Sequence, residues 1–180
     1  MVLCSQPGCN HTDDSCTAYL ENASKFAEYQ NNWYTVIKTP DGGLQLIQTC
    51  PSIGKRKIIC TWEKSDNYIL QCNSCQFAYG RAYLSIHKQY LGTEEKSSTD
   101  SLYEVDLNSG GHKLIIENTF LTTFYFLGAS QTKFALEFTA LEDTPLSEEE
   151  FTAQYGNMED YPRYLGEYYE EHSITELRIY

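Results

Sequence analysis

Short runs of strand-forming residues, cut at regular intervals by turn residues, constrain this chain more than any single motif does. From Asn32 to Lys38 it reads Asn-Trp-Tyr-Thr-Val-Ile-Lys, a Trp-led stretch of aromatic and β-branched residues. Pro40-Asp41-Gly42-Gly43 then turns the chain, Leu44 to Cys50 alternates apolar and polar positions, and Pro51-Ser52-Ile53-Gly54 breaks it again. Lys57 to Glu63 sets Ile58, Cys60 and Trp62 on one face, and Ser65-Asp66-Asn67 leads into Tyr68 to Cys72. The pattern continues over Arg81 to Tyr90, Leu102 to Leu107, Lys113 to Phe120, Thr122 to Gly128 and Lys133 to Leu141. Asn108-Ser109-Gly110-Gly111 supplies a hairpin turn whose residues tolerate positive φ. Roughly nine segments of period 2 in up-and-down order predict an all-β chain, an antiparallel barrel of about eight strands.

The ends read differently. Residues 9–31 form a polar leader in which Tyr19, Phe26 and Tyr29 are spaced for one face of a helix over Ala18 to Tyr29. Such a helix would cap one end of the barrel, with the ring of Trp33 plugging that end. After the last strand, Ser147 and Glu150 have the spacing of a capping box and Gly156 stands where that helix would stop. Asp160 and Pro162 open a second helix, with Tyr164, Leu165, Tyr168 and Tyr169 on its contact face, and Ile174 to Ile179 ends extended. From Glu137 onward twelve acidic residues face two basic ones, Arg163 and Arg178. Tyr161, Tyr168 and Tyr169 lie among these carboxylates, a setting suited to sulfation or to docking on a basic protein surface.

Composition narrows the function classes. A length of 180 residues suits one domain, here 9–180 with an acidic, Tyr-rich extension from about 157, behind a signal-peptide remnant over 1–8. The net charge of −12 argues against nucleic acid or an anionic membrane as partner, and no apolar run is long enough for membrane insertion. Seven cysteines and two glycosylation sequons, at Asn10 and Asn22, point to a secreted, extracellular protein. Cleavage of the signal segment would remove Cys4, leaving Cys9, Cys16, Cys50, Cys60, Cys72 and Cys75 for three disulfides in any of fifteen connectivities. The rival reading is a metal site from Cys50, Cys60, Cys72 and Cys75, but structural zinc usually shows two close cysteine pairs and this chain has one, so no metal is expected.

No HExxH, P-loop, GxSxG or GxGxxG is present, and His11, His87, His112 and His172 are scattered. The expectation is therefore a protein that is not an enzyme and needs no cofactor.

With Trp33 on the first strand, Asn31 at the position of a signature glycine, Leu121 to Tyr125 at a conserved-type turn and a helix after Leu141, the chain resembles the secreted lipocalins. The resemblance covers about residues 30–156. It extends to the divergent lipocalins of arthropod saliva. It implies a carrier of a small hydrophobic or amphipathic ligand, a fatty acid or lipid mediator ahead of a biogenic amine, in a barrel pocket. The lining expected from strand phase is Trp62, Tyr68, Tyr103, Val105, Phe124, Phe126, Phe134, Leu136 and Phe138. The alternative is a ligand-free interaction module, an inhibitor or immune modulator acting through loops or the acidic tail.

Overall fold

The computed structural model describes residues 4, 9, 10, 12, 16, 19, 22–50, 54–91, 98–118 and 122–180. They divide into two compact units, Met1–Glu117 and Asn118–Tyr180. The first unit holds β1 (Ala23–Tyr29), β2 (Asn32–Lys38), β3 (Leu44–Cys50), β4 (Lys55–Trp62), β5 (Tyr68–Ala78), β6 (Arg81–Tyr90), β7 (Thr99–Asp106) and β8 (His112–Glu117). The second holds β9 (Thr122–Ala129), β10 (Phe134–Leu141), α1 (Glu148–Tyr155), a 3-10 turn (Met158–Asp160), α2 (Tyr161–His172) and β11 (Ser173–Ile179).

The expected barrel does not form. The strands make three separate antiparallel sheets, ordered β1-β2-β3-β4, β5-β6-β7-β8 and β11-β10-β9, and none closes on itself. Alternation sets which face of a strand is apolar, but the same alternation serves a barrel wall and two stacked sheets equally well. Here the inward side chains of two four-stranded meanders meet and fill the space between them. Val36, Leu44, Leu46, Ile59 and Trp62 from the first sheet form one cluster with Leu70, Leu84, Ile86 and Val105 from the second.

The predicted N-terminal helix is also corrected. Over Ala23–Tyr29 the chain is an edge strand, whose half-buried Lys25, Ala27 and Tyr29 alternate with exposed Ser24, Phe26 and Glu28. Pairing with β2, from Ala23 opposite Ile37 to Tyr29 opposite Asn32, outweighs the weak helical spacing. Trp33 lies across the sheet from core residues Tyr34 and Val36, half-buried, with its ring stacked on Phe26 at 4.6 Å. It therefore plugs no barrel end.

No disulfide joins any of the seven cysteines, which overturns the three expected bridges. Cys60 and Cys72 are buried in the core cluster, with Cys75 packed against it. Burial pushes the Cys60 and Cys72 thiols up to about 12, and that of Cys75 well above its ordinary value. In this setting the three are neutral apolar side chains, and Cys72 donates to the Ser74 carbonyl at 3.3 Å. Of the expected signal remnant only Cys4 lies among the described residues, and it is buried.

In the second unit Ile174 to Ile179 is extended and pairs with β10 as β11, Ile174 opposite Ala140 and Ile179 opposite Ala135. The capping box is present: Ser147 Oγ accepts from the Glu150 amide and the Glu150 carboxylate from the Ser147 amide. Phe151 of α1 is buried against Tyr155, Tyr161 and Tyr164. Tyr161 donates its hydroxyl to the Leu146 carbonyl while the Leu146 amide donates to Tyr164, so these tyrosines hold α2 to the chain entering α1. Among the described residues no helix is long and apolar enough to cross a membrane.

The tightest backbone approach in the first unit is at the turn joining β7 and β8. Gly110 has φ +76, and a Cβ there would lie 2.1 Å from the Ile59 carbonyl oxygen of β4. Gly80 has the same φ with nothing within 4 Å. Gly110→Ala should therefore cost about 2–5 kcal/mol, a left-handed penalty plus a clash, and Gly80→Ala only about 1–2 kcal/mol; urea denaturation of the two variants measures the difference. In native protein at pH 8, Cys60, Cys72 and Cys75 should resist iodoacetamide and react only after unfolding, as peptide mass mapping would show.

Candidate functional site

A cavity of about 530 Å³ opens at one end of the first unit, lined by Gln30, Asn32, Tyr34, Gln48, Lys57, Tyr79, Gly80, Leu107 and Asn108. Three turns converge to build it. The β1-β2 turn is two residues, Gln30 and Asn31, both at positive φ (51° and 59°). The β5-β6 turn is Tyr79 and Gly80, at 51° and 76°. Two positive φ values in a two-residue loop match the twist of paired strands, which is the type I′ geometry. The β7-β8 turn is held by the Asp106 carboxylate, which accepts from the Asn108 amide at 3.0 Å and the Ser109 amide at 2.8 Å. Those bonds hold the Asp106 carboxyl below its usual range. They also fix Leu107 and Asn108 at the cavity wall.

Inside, the Gln48 amide donates to the Tyr34 hydroxyl at 3.0 Å. Burial raises the Tyr34 phenol above its ordinary value, against the opposing pull of that hydrogen bond. The phenol therefore stays protonated as a donor at neutral pH. Behind the wall, Tyr29 accepts the Gly80 amide at 2.7 Å and stacks on Phe77 at 5.8 Å, which ties the β5-β6 turn to β1. Lys57 reaches the Asn108 carbonyl at 3.4 Å and is the sole charged side chain among the described lining residues. Among the described residues the cavity thus presents four primary amides, two phenols and one ammonium, with Leu107 as aliphatic wall.

Tyr79 is the unusual member. It is 59% exposed at the rim, and its φ of 51° is one that side chains larger than Asn or Asp rarely adopt. Strain of this kind concentrates at binding sites, where a side chain is held for what it touches.

None of the nine residues expected to line a pocket lies in this wall. Trp62 and Val105 are buried in the core of the first unit, with Tyr68 and Tyr103 packed against it. Phe124, Leu136 and Phe138 are buried in the second unit, where Phe126 sits opposite Leu136 and Phe134 stacks on Tyr180 at 5.0 Å. Five of the nine, Trp62, Val105, Phe124, Leu136 and Phe138, are thus buried, and Tyr68, Tyr103, Phe126 and Phe134 are half-buried. The described residues that line this cavity are mostly polar and several stand on turns, and the glycine and asparagine of Tyr79-Gly80 and Gln30-Asn31 are the sequence signal for them, as residues that take positive φ. Asn10 and Asn22, the two sequon asparagines, are both exposed.

No family model matches the chain, and no curated protein matches it. Among solved structures it is similar to a variant of the isopeptidase AtxE2 with astexin3-dC4 bound, at 15% identity and a TM-score of 0.40. The match covers 75% of this chain and 20% of that one. At this level the likeness carries no argument about fold or activity.

If Tyr79 is kept for contact rather than stability, Tyr79→Asn should stabilise the protein by about 1 kcal/mol, since Asn-Gly is the favoured type I′ pair. Thermal and urea denaturation check the sign. A loss of stability would show that the ring contributes to packing.

Proposed function

We propose that this chain is a binding protein whose cavity takes a small, hydroxyl-rich ligand of saccharide type. The observation that carries the reading is the lining itself. A primary amide donates and accepts at once, as a hydroxyl does, so Gln30, Asn32, Gln48 and Asn108 can each pair with a ligand hydroxyl without leaving a group unsatisfied. Tyr79 offers a ring face for the apolar side of such a ligand, and Lys57 favours one bearing a carboxylate or sulfate. The volume lies within the range of small-molecule sites. A fatty acid fits poorly, because a long alkyl chain would displace water from amides that it cannot hydrogen-bond. The binding class expected from the sequence is kept, with the ligand chemistry changed. Without disulfides the cysteine count does not argue for an oxidising compartment, and secretion rests on the two sequons and the signal-like residues 1–8.

A second reading, contact with a basic protein surface through the C-terminal region, is favoured by one observation. Glu167, Glu170 and Glu171 are exposed on α2 while Tyr161, Tyr164, Tyr168 and Tyr169 are half-buried. That leaves a face of carboxylates to solvent. Binding of this kind would weaken steeply with salt.

Calorimetric titration of the full chain with neutral and acidic oligosaccharides tests the first reading, with long-chain fatty acids, eicosanoids, histamine and serotonin as the contrast. Saturable saccharide binding is expected, weakened about tenfold by Gln48→Ala and by Lys57→Ala, the loss of one ligand hydrogen bond each. Lipid binding without saccharide binding, or binding indifferent to both substitutions, would overturn it.

A further inference from the structure

Cys4, Cys9 and Cys16 come together ahead of the first strand. Their sulfur atoms all lie within 4.8 Å of one another. Cys4 and Cys16 are 7% and 2% exposed, and Cys9 is half-buried. The segment is pinned to the first sheet from a distance: Arg56 of β4 donates to the Cys16 carbonyl at 2.8 Å and to the Tyr19 carbonyl. The Tyr19 amide also donates to the Cys16 carbonyl at 3.1 Å, closing a turn under the third sulfur.

Three mutually adjacent sulfurs cannot all be consumed by disulfide formation, because pairing two strands the third. They can all serve a metal. In a tetrahedral thiolate site a metal-sulfur bond of about 2.3 Å places the sulfurs about 3.8 Å apart, so this group needs to contract by an ångström or less. We propose that Cys4, Cys9 and Cys16 form a metal centre for Zn2+ or another soft d10 cation, with three protein thiolates and a fourth position for solvent or an exogenous ligand. Each thiol gives up its proton to solvent as its sulfur-metal bond forms, so one cation replaces up to three protons. The positive ion offsets the cost of gathering thiolates in a buried place. The site couples to the sheet through Arg56, so metal binding stabilises the leader against β4.

The sequence offers Cys50, Cys60, Cys72 and Cys75 as the rival metal set to the disulfides it predicts, with no metal expected. The structure instead keeps Cys60, Cys72 and Cys75 as neutral core thiols and gathers the leader cysteines, whose spacings of four and six intervening residues contain no close pair.

The test uses the full chain, reduced and metal-free. Zn2+ is titrated in competition with a chromophoric chelator, and Cd2+ is followed by its thiolate charge-transfer absorbance. The proposal expects one cation per chain and an affinity that falls by up to about a thousandfold per pH unit on acidification below the thiol pKa values. Peptide mapping after alkylation should show Cys4, Cys9 and Cys16 protected only when metal is bound. Cys4→Ser, Cys9→Ser and Cys16→Ser should each weaken binding at least about a hundredfold, with Cys75→Ser unchanged. Absence of stoichiometric binding, or alkylation of the leader cysteines undiminished by metal, overturns the proposal. Where a variant loses metal and fold together, the protection map of the unsubstituted protein decides.

Discussion

The face-to-face packing of two four-stranded meanders is the contact on which the first unit depends. Each sheet alone would expose one apolar face. Joined, Val36, Leu44 and Leu46 from one and Leu84, Ile86 and Val105 from the other are all withdrawn from water, each Leu or Ile contributing about 1.5–3 kcal/mol. The large cavity lies where the sheets end, among the turns that join their strands, and turn chemistry makes such a place polar.

Alternation makes the strands legible in the sequence and says nothing of a cavity built from turns. Asn32–Lys38 and Leu44–Cys50 are visible in sequence as they stand in the fold, because β-branched and aromatic residues there alternate with polar ones between turn residues. The Ser147 and Glu150 capping box was legible for the same reason: its hydrogen bonds are local. Closure of a sheet is not local. Whether β4 pairs with β5 or turns away into a second layer leaves no mark on the period of either strand, so the barrel was a choice that pattern could not make.

Two other misreadings have distinct origins. Phe26 and Tyr29 share a helical spacing, yet in the fold they lie on opposite faces of an edge strand, since pairing with β2 supplies hydrogen bonds that a short helix without a strong apolar stripe does not outcompete. The cysteines were counted as an even set by discarding Cys4. Residue types allow that count, but only coordinates show that Cys4 sits against Cys9 and Cys16 while Cys60 and Cys72 are core thiols.

The grip of Arg56 on the leader also sets an order of events. Its two acceptors lie 40 and 37 residues earlier in the chain, a far longer loop than the hairpins that link β1 to β2 or β3 to β4. Short hairpins close at a lower entropic cost than long loops. Closing the Arg56 contacts therefore costs more chain entropy than closing either hairpin, and they can form only once β4 is present. The place where Cys4, Cys9 and Cys16 meet thus depends on a contact that spans most of the first sheet, and a substitution at Arg56 would act on those sulfurs from β4.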